Sequence, residues 1–192
     1  MKKRNKLCLI FSIFPLTGCS MTYTMFEVGN IEIGYSELER NAFIACINYA
    51  RGDDTNIELP TYYEKAKVTE LGGYFGRGVP CCFGINEVFY FFDEGYINAY
   101  GFLWREMSLL INGKVEIEEI YFNITLPRYL EKITYADYYC SAAEYLNDGE
   151  TITKIFKPTA NFTISEENEY FYTLDGRLYN KSDDSLALDF IG

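Results

Sequence analysis

The sequence predicts an α+β fold, an antiparallel, aromatic-rich β-sheet packed by two helices, on three observations. Two stretches, Ser36 to Gly52 and Thr134 to Gly149, open on capping residues, close on glycine and carry apolar residues at helical spacing. The other apolar runs are short, rich in Tyr, Phe, Ile and Val, and punctuated by Asp-Gly, Asn-Gly or Pro, as strands and hairpins are. A chain of 192 residues, 48% of them hydrophobic, builds one real core and is too short for two comfortable ones.

Taken in order, Tyr23 to Ile33 reads as the approach to, and body of, a first strand. The first helix follows: Ser36 with Glu39 forms a capping box, Leu38, Ala42, Ala45, Cys46 and Tyr49 share a face, and Phe43, Ile47 and Ala50 widen it. Glu64 to Leu71 is a strand candidate and leads into the Gly-rich passage Gly72 to Cys82. Val88 to Phe92 and Tyr96 to Trp104, joined through Asp93-Glu94-Gly95, are nearly continuous apolar runs and predict a central hairpin covered on both faces. Asn112-Gly113 supplies the positive φ of a type I′ turn, and the chain returns through Lys114 to Leu126. On that return strand apolar residues are odd-numbered at Val115 and Ile117 but even-numbered from Ile120 on, so a β-bulge or bend is expected at Glu118-Glu119. The second helix has Ala136, Tyr139, Cys140, Ala143 and Leu146 on its inner face. A meander closes the chain: Thr151 to Phe156, Ala160 to Ile164, Tyr170 to Leu174, Asp175-Gly176, Arg177 to Tyr179 and Leu186 to Ile191. The order strand, helix, then strands to Leu126 is similar to a cystatin-like sheet wrapped on one helix, an analogy of fold that fixes no function.

The N-terminus gives an address. Lys2, Lys3, Arg4 and Lys6 precede an apolar run from Leu7 to Leu16, too short to remain as a membrane span, and Leu16-Thr17-Gly18-Cys19 follows. This layout resembles the signal peptide and lipobox of a bacterial lipoprotein. The resemblance implies diacylglycerol on the Cys19 thiol, cleavage before Cys19, and usually acylation of the new amino group. Two or more acyl chains hold a protein firmly where one does not. The bland alternatives are an ordinary signal peptide cut elsewhere, leaving a plain thiol, and an uncleaved anchor. Ser20, in the place where Asp favours retention at the inner membrane, implies by the family rule the outer membrane, on its periplasmic side; the outer leaflet of the cytoplasmic membrane is the alternative. The expected organisation is residues 1–18 as cleaved signal, 19–27 as a short connection and 28–192 as one globular domain. The mature chain keeps 13 basic against 28 acidic residues, a net charge of −15, which repels nucleic acid and favours basic partners or divalent cations. Solubility is the plainer reason for such a charge.

The sequence contains no His, which removes Ser-His-Asp and Cys-His catalysis and the usual catalytic zinc sites. No Ser has Lys three residues later, and Gly34-Tyr35-Ser36-Glu37-Leu38 lacks the closing Gly of a nucleophile elbow. The glycines of Gly72 to Gly78, with Arg77, could hold an anion, but no Lys-Ser/Thr pair makes them a Walker loop. The acidic pairs Glu118-Glu119, Glu166-Glu167 and Asp183-Asp184 could serve as acid and base or hold Ca²⁺, although neighbours on a strand point to opposite faces. No catalytic residue, metal site or cofactor is therefore assigned. The 18 tyrosines fit either a core and its rim or a binding surface. The favoured function is a non-enzymatic, membrane-anchored envelope lipoprotein that binds another protein, as an assembly component or an inhibitor or immunity-type protein. The alternative is an envelope glycan-processing enzyme using paired carboxylates.

Four cysteines remain once Cys8 is removed and Cys19 lipidated. In an exported domain Cys46, Cys81, Cys82 and Cys140 are disulfide candidates. Adjacent Cys81 and Cys82 are too close along the backbone to bridge without strain, so each is expected to pair with Cys46 or Cys140, in either order. Four buried free thiols are the alternative.

Overall fold

In the computed structural model both predicted helices are strands. The structure describes residues 23–37, 40–50, 52–75, 79–81, 83–87, 96–103, 114–134, 139–147 and 150–190, and among them there is no helix. In chain order the strands are β1 (Thr24–Val28), β2 (Ile31–Ser36), β3 (Asn41–Tyr49), β4 (Asn56–Glu58), β5 (Tyr62–Tyr63), β6 (Ala66–Leu71), β7 (Gly73–Phe75), β8 (Val79–Cys81) and β9 (Ile85–Glu87). There follow β10 (Tyr96–Leu103), β11 (Lys114–Thr125), β12 (Lys132–Ile133), β13 (Tyr139–Asn147), β14 (Glu150–Thr163), β15 (Phe171–Leu174), β16 (Arg177–Asn180) and β17 (Leu186–Leu188).

The first sheet runs β1-β2-β3-β6-β12, with β5 paired to β6 and β9 to β3. The second runs β10-β13-β14-β11-β4. Both mix parallel and antiparallel pairs: β3 lies parallel to β6 and β9, and β11 lies parallel to β14 and β4. The α+β expectation, its two helices and the cystatin-like analogy that needs one of them are thereby overturned.

The physical reason is the same at both sites. Ala42 to Ile47 are all buried, so the stretch has no polar face; a short apolar run of that kind suits a strand covered on both sides as well as a buried helix. Partners decide the outcome: β2 takes one edge of β3, and β6 and β9 share the other. Gly52, with φ +89°, belongs to a turn in which Asp53 N–H donates to Ala50 O and Ala50 N–H to Asp53 Oδ2. The second stretch, with Ala142 and Ala143 at its centre, becomes β13, paired antiparallel with β10 and β14 at once. Helix propensity is a weak prior against two complete ladders.

Further expectations change: Thr151 to Phe156 and Ala160 to Ile164, expected as separate strands of a meander, are one strand, β14, laid parallel to β11. The first strand is a hairpin, since Gly29-Asn30 forms a two-residue loop with positive φ at Gly29 alone, the type II′ pattern. Strand β1 thus starts at Thr24, within the 19–27 stretch expected as a connection. The ladder of β11 on β14 is unbroken from Lys114↔Ile152 to Thr125↔Thr163, so no bulge stands at Glu118-Glu119. Ile117 is simply half exposed, on the face opposite Phe122 and Ile124. The run Val88 to Phe92, its turn, Trp104 and the Asn112-Gly113 turn lie outside the described residues, as do residues 1–22 with Cys19.

The two sheets meet through Ile33, Ile44, Ile47, Val68 and Leu71 on one side and Ile57, Phe122, Ile124 and Phe162 on the other. Tyr49 stands edge-on to Phe122 at 5.1 Å. The opposite face of β3 carries Phe43 and Cys46, in ladder with Gly34 and Glu32. Phe43 lies over two glycines: a Cβ at Gly34 would collide with its ring, and one at Gly73 would reach it at 2.8 Å. The β7–β8 hairpin therefore closes on that face.

The last three strands form a small antiparallel sheet, β15-β16-β17. Its inner residues Phe171, Leu178 and Leu188 join the core, and Phe190 stacks on Phe83 at 6.1 Å. Asp175 (φ 50°) and Gly176 (φ 75°) make the β15–β16 turn, both with the positive φ of type I′.

Candidate functional site

Alternation along β15 and β16 turns Tyr172, Leu174 and Tyr179 to the outer face of the C-terminal sheet, opposite the core side chains. Tyr172 and Tyr179 are cross-strand partners whose rings stack at 5.5 Å and 20°. Leu186 on β17 is the partner of Tyr179 and extends the face. Leu174 is 55% exposed, Leu186 52% and Tyr170, just ahead of β15, 47%, while Arg177, the ladder partner of Leu174, pairs with Asp189 at 3.2 Å, so the patch is aromatic and open with one ion pair beside it.

Carboxylates surround it. Residues 165–192 hold seven acidic and two basic side chains, a net charge of −5. Tyr172 Oη donates to Asp184 Oδ1 at 3.0 Å, and partial desolvation followed by this carboxylate pushes the phenol above its usual range. Ser185 Oγ and N–H donate to Asp183 Oδ1 at 2.6 and 3.0 Å and hold that carboxyl below its usual value. The acids are thus fixed in the β16–β17 turn, at the border of the aromatic face.

A single buried side chain secures this platform. Asn168 donates from Nδ2 to Arg128 O (2.9 Å) and Leu130 O (2.8 Å), and its Oδ1 accepts from Tyr170 N–H (2.9 Å) and Phe171 N–H (2.7 Å). Two donors and two acceptor positions are all used, as a buried amide requires. Lys181 Nζ donates to the carbonyls of Asn168 and Glu166, and Arg128 pairs with Glu167. Sequence reading overlooked Asn168; the available signal was an Asn two residues ahead of a Tyr-Phe-Tyr strand, where it can cap the strand's first amides.

The acidic pairs do not converge. Glu118 meets Lys154 at 3.0 Å, while Glu119, on the other face, takes Lys157 Nζ at 3.1 Å and Tyr121 Oη at 2.6 Å. The hydrogen bond from Tyr121, then Lys157, holds Glu119 below its ordinary value. A shallow groove lined by Asn30, Asp53, Asp54, Asn56 and Glu58 is likewise bound up in its own turn, for Asp54 Oδ1 accepts both Asn56 N–H and Nδ2 at 2.9 Å. Among the described residues no three of His, Cys, Asp or Glu could hold a metal.

Of the predicted cysteines, Cys46 is buried on β3, its Sγ 3.7 Å from Asn48 Oδ1, and Asn48 Nδ2 donates to Glu32 at 2.9 Å. Cys81 ends β8, where it is the ladder partner of Gly73, the glycine set against Phe43. Cys140 is in β13, opposite Phe102. Cys82 and Cys19 lie outside the described residues, as do the side chains of Cys81 and Cys140. No family model matches the chain, and no curated protein matches it.

Proposed function

We propose that the chain is a membrane-anchored envelope lipoprotein that binds a protein partner through the outer face of β15–β17. The observation that carries this reading is the flat patch of Tyr172, Leu174, Tyr179 and Leu186 bordered by Asp175, Asp183 and Asp184. An apolar centre with fixed aromatic rings and a polar rim is how protein interfaces are built. The acidic border favours a partner with a basic rim around an apolar centre. An assembly component and an inhibitor or immunity-type protein both fit that chemistry. The glycan-enzyme reading loses its support where the carboxylates of residues 118 and 119 are each committed to a lysine.

Lipid attachment at Cys19, the outer-membrane address and the disulfides of Cys46, Cys81, Cys82 and Cys140 belong to the same proposal and rest on the sequence. The test is capture by the acylated, detergent-solubilised protein from envelope extract, alongside a Tyr179→Ser, Leu186→Ser variant. A partner retained by the first, lost by the second and released by added salt supports the reading. Equal capture by both proteins removes the face from the proposal.

A further inference from the structure

The two ends of the first sheet differ in chemistry, and the described chain enters at one of them, through Tyr23 and β1. From Cys19 to Tyr23 there are four residues, which reach about 14 Å when fully extended. Tyr23 already packs edge-on to Phe43 at 5.0 Å, and β1 begins at the next residue. The domain therefore has almost no slack relative to an acylated Cys19.

Register shows what shares that level. Thr24 pairs with Tyr35, Tyr35 with Ala42, Ala42 with Val68, and the neighbouring Lys67 with Tyr62. Neighbouring strands are about 4.8 Å apart, so these residues form one narrow end of the sheet. Here Phe26, Tyr35 and Tyr63 cluster with ring centroids 5.3 to 6.4 Å apart. Tyr62, 50% exposed, lies edge-on to Tyr129 at 5.4 Å. Lys67 Nζ sits 4.2 Å above the Tyr129 ring, and the Arg128 guanidinium 5.6 Å from it. Among the described residues this end carries no acidic surplus: exposed Arg40, Lys65, Lys67 and Arg128, the last paired with Glu167, stand with Glu37 and Glu64. At the far end of the same strands are Glu27, Asn30, Glu32, Asp53 and Asp54, with Glu27 and Glu32 directly opposed in the ladder.

Tyr combines an apolar ring with a polar tip, and Lys and Arg keep their heads in water while their stems lie on apolar surface; both suit a lipid headgroup layer. Cations near an anionic leaflet are attracted and the acidic end is repelled. We propose that the Tyr62–Tyr129–Lys67–Arg128 end is a membrane-docking surface, seated on the phospholipid headgroups of the leaflet that holds the acyl chains. This rests on the lipoprotein reading of Cys19. The bilayer is the occupant because it is the surface that four residues of tether bring within reach.

The experiment uses the full acylated protein in vesicles of phosphatidylglycerol and brominated phosphatidylcholine. Two variants each add one tryptophan to the single Trp104 of the chain. Tyr62→Trp reports on the proposed surface; Ile117→Trp, half exposed on β11 and eight residues from its end at Thr125, lies about 26 Å along that strand. Loss of most of the added emission at position 62, none at 117, and recovery of the former on Lys67→Glu with Arg128→Glu are expected. Unquenched emission at 62 from a protein that is acylated by intact mass and floats with the vesicles overturns the docking surface while leaving the anchor intact. Equal quenching at both positions overturns the orientation. A wild-type mass without acyl chains at Cys19 removes the anchor and this inference with it.

Discussion

The C-terminal sheet and the surroundings of β3 obey the same rules of pairing, yet one is set by its nearest neighbours in sequence and the other by residues far away. Strands β15 and β16 are joined by two turn residues that can adopt positive φ, and their outer and inner positions alternate. Strand β3 has no such local definition. Its edges are fixed by β2, β6 and β9, and its second face by a hairpin whose Gly73 admits the Phe43 ring. Local order leaves a face free for a partner, whereas non-local order consumes every face.

The sharpest break in that comparison is Phe43→Ala. It should cost about 3–5 kcal/mol, the usual range for truncating a buried aromatic. Gly34→Ala should destabilise through the collision with the same ring, and adding it to Phe43→Ala should cost little more, because the truncation removes what the new methyl would strike. Denaturant unfolding of the single and double variants checks both. Additive losses would mean that the ring and the glycine do not share one packing site.

Reduction is the second test. If Cys81 and Cys82 bridge to Cys46 and Cys140, each bridge contributes about 3–4 kcal/mol by restricting the unfolded chain. Non-reduced peptide mapping should show the peptide of residues 81 and 82 covalently joined to both others, and reduction should raise hydrogen exchange in β7–β8 while sparing β15–β17. Four alkylatable thiols in protein taken from the envelope would end the idea.

Next in size is Asn168→Ala, which strips partners from the carbonyls of Arg128 and Leu130 and the amides of Tyr170 and Phe171. A loss of about 2–3 kcal/mol is expected for buried groups left unsatisfied. Hydrogen exchange should localise the loosening to β15–β17, with β3 unchanged.

The smallest effect is in acid. Asp183 has a folded-state carboxyl held below its ordinary value by the Ser185 hydroxyl and then its amide. Its contribution is therefore present above the unfolded value and disappears as pH falls through the folded one, below about pH 4. Asp183→Asn should flatten that limb of the stability profile slightly, and a profile that stays superimposable on wild type would show the contact to be idle.

What the sequence made legible follows the same division. The turn at Asp175-Gly176, the strands on either side of it, β6, β10 and the long β11 are legible in turn chemistry and apolar runs, whereas the bend expected within β11 is absent. The two helices were misread because Ala, Cys and Tyr at helical spacing also fit a strand covered on both faces, and no local residue names β9 or β10 as partners. Gly29-Asn30 lies inside a stretch whose apolar residues read as one continuous strand, so its turn is hidden. The tyrosines divide in a way that composition hides: Tyr49 is core, while Tyr172 and Tyr179 face outward. Asn168 left only a faint trace, since its four partners lie on two segments.

Every rung of the β11–β14 ladder joins residues 38 apart, from Lys114↔Ile152 to Thr125↔Thr163. A parallel pair cannot close through a tight turn, so this ladder forms only after the whole intervening segment is available. Ladders of such wide separation slow folding, because the loop-closure entropy is lost before any contact compensates it. If the chain is exported and acylated as proposed, its N-terminus is fixed to lipid early, while the long strands β11 and β14 find each other late. Until then the part of β14 beyond residues 150–156, the stretch that pairs with β13, lacks its partner strand, Phe162 included, and the chain is at its most vulnerable to aggregation.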